Sequence, residues 1–428
     1  MKYGEWVELV LKNGKKFEGI LIPSPEKNVI IIKLQNGYNI GFKEEDISEI
    51  RYLGKKIDVA KFPKKKLSEK GDNRRKISIV ITGGTIMSRV DYRTGGVHTF
   101  LDPLELLYQI PELENITFIK NIVNPFSIAS EDMTPKEWMK IAEIVAKELN
   151  SEVDGVIITH GTDTMHYTSA ALSFMLRNLG KPVALVGSQR SSDRGSSDAF
   201  MNMICASIYA TSDIAEVSIV MHGTIEDTFC LAHRGTRVRK MHTERRDAFR
   251  SINDKPLAKI YPNGKIEIIN ENYKKRKNSE VIADTKINEK VALIKVFPGA
   301  DPGIIDFFVD KGYKGIVIEG TGFGHVPTET IHKEKSWIPA IERAVENDVI
   351  ICMTSQTIFG RTNPFVYSNA RKLYNLKIIY LEDMLPEVAY VKLMWVLGHT
   401  ENYEEVKKLM LTPLANEIKL RSLEEEFI

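Results

Sequence analysis

Only three cysteines occur in 428 residues, Cys205, Cys230 and Cys352, and no two form a CxxC pair. That scarcity excludes a disulfide scaffold and a thiolate zinc site, and it suits a reducing compartment. No apolar run reaches the roughly 18 residues that a membrane span needs. The first ten residues, MKYGEWVELV, carry acids where a signal peptide needs a basic start and an apolar core. The expectation is a cytoplasmic chain that neither spans a membrane nor is exported. Also missing are GxxxxGK followed by Ser or Thr, a GxGxxG after the first α/β strand, a GxSxG elbow and HExxH. The sequence therefore offers no recognisable ATP or dinucleotide site of its own. The stretch GTGFG at 320–324 is a lone glycine loop that lets the backbone turn tightly. No short repeat or low-complexity tract is present.

What is present is an ordinary globular mix, 43% hydrophobic and 27% charged, in a length that fits roughly three domains of about 150 residues. Abundant Lys, Glu and Ile resemble a thermophile's usage. The net charge of +2 hides an asymmetry: residues 1–76 hold 18 Lys plus Arg against 11 acids, a surplus of +7, which leaves −5 for the rest. A basic module can bind polyanions by neutralising phosphates, and a solvated surface can show the same surplus.

Residues 1–60 read as a small β-barrel or meander. WVELVL, KKFEGILI, VIIIKL and YNIGF alternate with period two and are broken by the turns LKNGKK, PSPEKN and LQNG. Residues 61–76, KFPKKKLSEKGDNRRK, lack apolar periodicity and read as a charged linker, a solvated tether more than an RNA-binding tail. From 77 to 270 apolar strands (ISIVITGG, GVIITHG, PVALVGS, SIVMHG) alternate with helices, over 134–149 and over HYTSAALSFMLRNLG ending in Gly180. This predicts a large α/β domain with a mostly parallel sheet. A polar linker at 271–290 precedes a small α/β domain over 291–428, with strands VALIKVFPG, GIVIEGTGFG and DVIICMTSQ and a helix near 335–347.

In open α/β sheets, ligands bind where strand-end loops gather. TGGTI at 82–86 ends the first such strand. Gly83 and Gly84 permit a sharp turn with exposed N–H groups, and Thr85 lifts a hydroxyl that is either a nucleophile or a bond to its own backbone. THGTDTM at 159–165 ends a second strand and sets Thr162 and Asp163 before a helix, where N–H groups and the dipole favour an anion. Asp163 there is also a natural N-cap. Within GTRVRKMHTERR, Lys240 stands among five other basic or His residues, which by charge counting reads as a solvated surface lysine. Buried beside Asp163 it reads differently: desolvation would lower its pKa, and the neutral amine could take a proton from a threonine.

With TGGTI and HGTDTM in this order over two α/β units, residues 77–400 resemble the L-asparaginase-like amidohydrolases. The resemblance implies that Thr85 is the acylated nucleophile and that Thr162, Asp163 and Lys240 form the second catalytic set. It further implies that Ser130 binds the substrate's α-carboxylate and that Tyr92 lies on a mobile flap. The same resemblance implies that Glu131, Gly84 and Gly161 also contact the substrate. Two departures stand out: Glu131 replaces a usual glutamine, and an acidic residue that reaches a neighbouring site is replaced near Tyr367. The whole chain, with VGSQRSSDRGSSDAFMN at 186–202 and its N-terminal barrel, is similar to the narrower family of D subunits of archaeal glutamyl-tRNA(Gln) amidotransferases. That similarity implies hydrolysis of glutamine and delivery of ammonia to an E subunit, which phosphorylates and amidates Glu-tRNA(Gln). It implies no cofactor in this chain, ATP and Mg on the partner, and a homodimer core within a heterotetramer. Two other readings are a free cytoplasmic asparaginase and an RNA-binding protein on an inactive asparaginase scaffold. The departures at Glu131 and Tyr367 suit an enzyme that is slow until partner and tRNA are present.

Overall fold

A computed structural model describes residues 2–24, 27–34, 39–54, 74–90, 97–99, 110, 112–192, 194–424 and 427. Most of the 61–76 stretch expected to be a linker, and Tyr92, lie outside the described residues.

The N-terminal unit is a five-stranded antiparallel sheet of β1 (Trp6–Leu11), β2 (Lys16–Ile22), β3 (Val29–Lys33), β4 (Asn39–Lys43) and β5 (Ile47–Tyr52), with β5 returning beside β1. Its alternation buries Val7, Leu9, Leu21, Ile30 and Ile32 in one core. Gly14, at φ +82°, makes the first Asn-Gly turn. β5 is not among the strands expected from the sequence. Its inner face offers only Ile47 and Ile50, both half-buried.

The large unit begins at β6 (Lys76–Ile81), followed by a small hairpin of β7 (Ser88–Val90) and β8 (Val97–Thr99), α1 (Leu113–Ile116) and β9 (Phe118–Val123). Then come α2 (Pro135–Leu149), β10 (Gly155–Thr159), α3 (Met165–Met175), β11 (Leu176–Arg177), β12 (Val183–Val186), α4 (Ala199–Ala210) and β13 (Val217–His222). Strands β14 (Cys230–Arg234), β15 (Val238–Lys240), β16 (Phe249–Ser251), β17 (Ala258–Ile260) and β18 (Ile266–Ile268) complete it. Eight of these form one sheet in the order β18-β17-β14-β13-β12-β10-β6-β9, parallel from β9 to β13 and antiparallel beyond. β15 and β16 pair only with each other, outside that sheet. Helix α2 is held at its start by a capping box in which Thr134 and Glu137 satisfy each other. Helix α3 is shorter than expected: it stops at Met175 because Leu176 and Arg177 pair with β19 (Ile282–Ala283).

The small unit stacks β20 (Val291–Lys295), β21 (Gly315–Gly320), β22 (Ile350–Ser355) and β23 (Ile379–Tyr380) in parallel, in that order. Its helices are α5 (Gly303–Asp310), α6 (Ile338–Glu346), α7 (Ser368–Asn375), α8 (Pro386–Leu397) and α9 (Tyr403–Leu411). The two α/β units share one apolar core, in which α3 meets α8 and side chains such as Phe174 and Val145 join Cys352 and Leu393. No helix among the described residues is long and apolar enough to cross a membrane.

Candidate active site

At the end of β6, the Thr82 hydroxyl donates to the Thr159 carbonyl across the sheet (2.7 Å), and Ile128 N–H donates to the Thr82 carbonyl (3.1 Å). Gly83 and Gly84 then turn the chain at φ +115° and +86°, which only glycine adopts without strain. The turn also needs glycine for space: a Cβ on Gly84 would sit 2.5 Å from the Gly161 nitrogen. Thr85 opens a single turn of 3-10 helix whose Ile86 and Met87 are buried, so the threonine itself stays half-buried at the strand ends. Among the described residues no group holds the Thr85 hydroxyl.

The loop after β10 lies against this turn. A Cβ on Gly161 would lie 2.7 Å from the Ser130 Cβ, and the Thr164 hydroxyl donates to the Ser130 carbonyl (2.7 Å). On the other side, a Cβ on Gly187, at the end of β12, would come within 2.9 Å of the Thr162 Cγ2. Four strand-end loops, carrying Thr85, Ser130, Thr162 and Gly187, therefore meet at van der Waals distance. From the motifs, only the loops of Thr85 and Thr162 are expected to face one crevice.

Lys240 is the decisive residue. Its Nζ donates to Thr162 Oγ1 at 2.8 Å and to Asp163 Oδ1 at 2.7 Å, and its side chain is only 9% exposed. The solvated-lysine reading of the basic run is thereby overturned. The N-cap reading of Asp163 falls too, because the α3 N-cap position is Thr164 and the Asp163 carboxylate is engaged by the lysine. Glu131 is exposed next to the buried Ser130, whose hydroxyl donates to Glu131 Oε2 over a long 3.4 Å.

Supporting residues went unseen in the sequence. His160 is fully buried, and burial pushes its pKa down to about 4. Neutral, it donates from Nδ1 to the Gly161 carbonyl (2.6 Å) and accepts the Thr168 hydroxyl at Nε2 (2.8 Å), fixing the loop that precedes Thr162. Asp198, also buried, accepts from the Gln189 and Arg190 N–H groups and from Asn202, whose amide reaches the Gly187 carbonyl. This gives a physical role to the Asp and Asn of the 186–202 signature, which hold the loop beside Thr162. A cleft of about 400 Å³ opens beyond Lys240, lined by Asp163, His166, Tyr167, Arg239, His242 and Glu387 among others. Among the described residues no group of three or more His, Cys, Asp or Glu side chains is placed to hold a metal ion.

Comparison with known proteins identifies relatives of each part of the chain. Residues 76–274 match the "Asparaginase, N-terminal" family, 290–410 the "Glutaminase/Asparaginase C-terminal domain", and 1–53 the "GatD N-terminal domain". The thermostable L-asparaginase from Thermococcus kodakarensis superposes with a TM-score of 0.72 at 29% identity, over 80% of this chain and 99% of that one. L-asparaginase I from Vibrio cholerae gives 0.69, also at 29%, over 81% and 100%. Other relatives match nearly the whole chain: the D subunit of the Pyrococcus abyssi glutamyl-tRNA(Gln) amidotransferase is 57% identical over 94% of this chain and 91% of its own length. Its counterpart from T. kodakarensis is 54% identical over 97% and 94%. An asparaginase-like amidohydrolase body joined to that N-terminal unit, matched nearly end to end, means that the chain belongs to the family of D subunits of glutamyl-tRNA(Gln) amidotransferase.

Proposed function

We propose that this chain is the ammonia source of its enzyme, hydrolysing glutamine with Thr85 as nucleophile. The observation that carries the reading is the Lys240 side chain, 9% exposed, with its Nζ on Thr162 and Asp163, one loop away from Thr85. The Thr85 oxygen adds to the side-chain amide carbon of glutamine while its proton passes to the Thr162, Asp163 and Lys240 set. That proton then goes to the departing nitrogen, ammonia leaves, and a glutamyl ester remains on Thr85. Water, deprotonated by the same set, cleaves the ester to glutamate and restores the hydroxyl. Backbone N–H groups of the two glycine loops are the natural donors to the transient oxyanion. Ser130 receives the α-carboxylate in this reading, with Glu131, Gly84 and Gly161 around the substrate and Tyr92 on the flap. Ammonia serves a partner E subunit that uses ATP and Mg to activate and amidate Glu-tRNA(Gln), this chain needing no cofactor and forming the dimeric core of a heterotetramer.

Thr85→Ala, assembled with the partner subunit and supplied with Glu-tRNA(Gln), tests this. Glutamine-dependent amidation should vanish and ammonium-dependent amidation should persist, because only the ammonia source is lost. Loss of both activities, or survival of the first, would overturn the assignment.

A further inference from the structure

Lys240 is not held by the main sheet. It ends β15, three residues long and paired only with β16, and so short a ribbon needs anchors from outside. Those anchors alternate along the chain. Val238 enters the shared core and Lys240 reaches the large unit at Thr162 and Asp163. Arg237 and Arg239, pointing the other way, reach the small unit. Arg237 donates from Nη1 to Asp383 Oδ2 (3.0 Å) and from Nε to the Asn416 carbonyl (2.8 Å), and Arg239 forms an ion pair with Glu387, its Nε lying 3.0 Å from Oε1.

Glu387 sits in the first turn of α8, where the helix dipole favours a carboxylate, and is 4% exposed. Its Oε2 and the Nδ1 of neighbouring His166 have no hydrogen-bond partner among the described residues, where Arg239 is its one close counter-charge. A buried carboxylate with a single partner holds that partner hard, because separation leaves an uncompensated charge. Arg239 is the residue next to Lys240 in sequence. The Glu387 grip therefore fixes the backbone from which the lysine extends.

We propose that Arg239 and Glu387 are positioning residues for Lys240, through which the small unit sets the distance between the lysine Nζ and Thr162. This rests on the glutaminase reading given above. The variants to compare are Glu387→Gln and Arg239→Lys, each in the full chain assembled with the partner subunit and Glu-tRNA(Gln), with glutamate release from glutamine as the readout. Each should lower kcat by about tenfold or more with KM within about twofold, since displacement of a catalytic group by about 1 Å costs up to about a hundredfold. In a Lys240→Met background, adding Glu387→Gln should change the residual rate by less than about twofold, because the residue acts through the lysine. A general structural role would lower both backgrounds alike, and that result overturns the proposal. So does a kcat near wild type in Glu387→Gln. Should Glu387→Gln fail to fold, Arg239→Lys decides alone, its side chain being 29% exposed and its charge retained. A wild-type complex that releases no glutamate would instead sink the glutaminase reading, whereas an active wild type with unaffected variants sinks only this clamp.

Discussion

Lys240→Met should separate activity from stability. The change removes two hydrogen bonds, to Thr162 at 2.8 Å and to Asp163 at 2.7 Å, and keeps most of the apolar stem. Asp163 is 68% exposed, so solvent screens the ion pair and its loss costs at most about 1 kcal/mol. The bond to Thr162 adds about 1 kcal/mol. Unfolding free energy should therefore drop by about 2 kcal/mol, a cost that a folded chain tolerates. Catalysis has no such cushion, since losing a positioned acid–base group costs about 10²–10⁴ in rate, or about 3–5 kcal/mol of barrier. The assay is Gln-tRNA formation by the assembled enzyme, with glutamine and then with ammonium chloride as nitrogen source, beside a denaturant titration of the variant. The expected pattern is near-complete loss with glutamine, full activity with ammonium and a small shift of the unfolding midpoint. A variant that keeps more than about a tenth of the glutamine-dependent rate while folded would refute the role given to the lysine.

Gly84→Ala should cost more than about a hundredfold in glutamine hydrolysis, because its Cβ would drive the Thr85 turn off the Gly161 backbone, 2.5 Å away. Gly264→Ala, at φ +94° with open space around it, is the control for strain alone and should leave the rate unchanged. Glu131→Gln should lower the KM for glutamine in the isolated chain by about fivefold, as an exposed carboxylate beside Ser130 repels the substrate's own with about 1 kcal/mol. A KM that stays or rises would show that Glu131 faces elsewhere. The isolated chain with Glu131 intact should turn over glutamine slowly, and a fast rate without partner and tRNA would refute that expectation. Stability should fall in mild acid. Burial depresses the pKa values of His160, His166 and His233 to about 4, 3 and 3, with Arg239 and Arg250 adding to the shift of the latter two. Below about pH 6.5 the unfolded chain binds these protons and the folded chain does not, so stabilisation that is complete above pH 6.5 is lost as pH falls toward 4. Three groups give up to about 4 kcal/mol per pH unit, opposed by the buried Glu387, whose pKa is raised. Denaturant midpoints that stay flat from pH 7 to pH 5 would contradict this.

The sequence discloses those parts of the molecule whose cause is local. Alternation and the Asn13-Gly14 turn suffice for the first four strands, and uninterrupted apolar runs suffice for β6, β10, β12 and β13, because a strand covered on both faces has no polar side to show. Thr85 and Thr162 are legible as neighbours because each follows a glycine turn at the end of a parallel strand of one sheet, where such loops gather. What stays hidden depends on distant partners. Helix α3 is buried nearly all round, so it has no polar stripe to mark its end, and the pairing with Ile282 and Ala283 that stops it lies about a hundred residues on. The basic run around Lys240 is the sharpest case. Charge counting reads it as a solvated face, yet Arg237, Arg239, Arg245 and Arg246 meet Asp383, Glu387, Asp247 and Asp227, and two of those acids come from the small unit. A cluster of cations is a surface feature only while its counter-ions are in solvent. Once the fold supplies the acids, the neighbouring arginines are taken up by structure, and the lysine between them is left for Thr162 and Asp163.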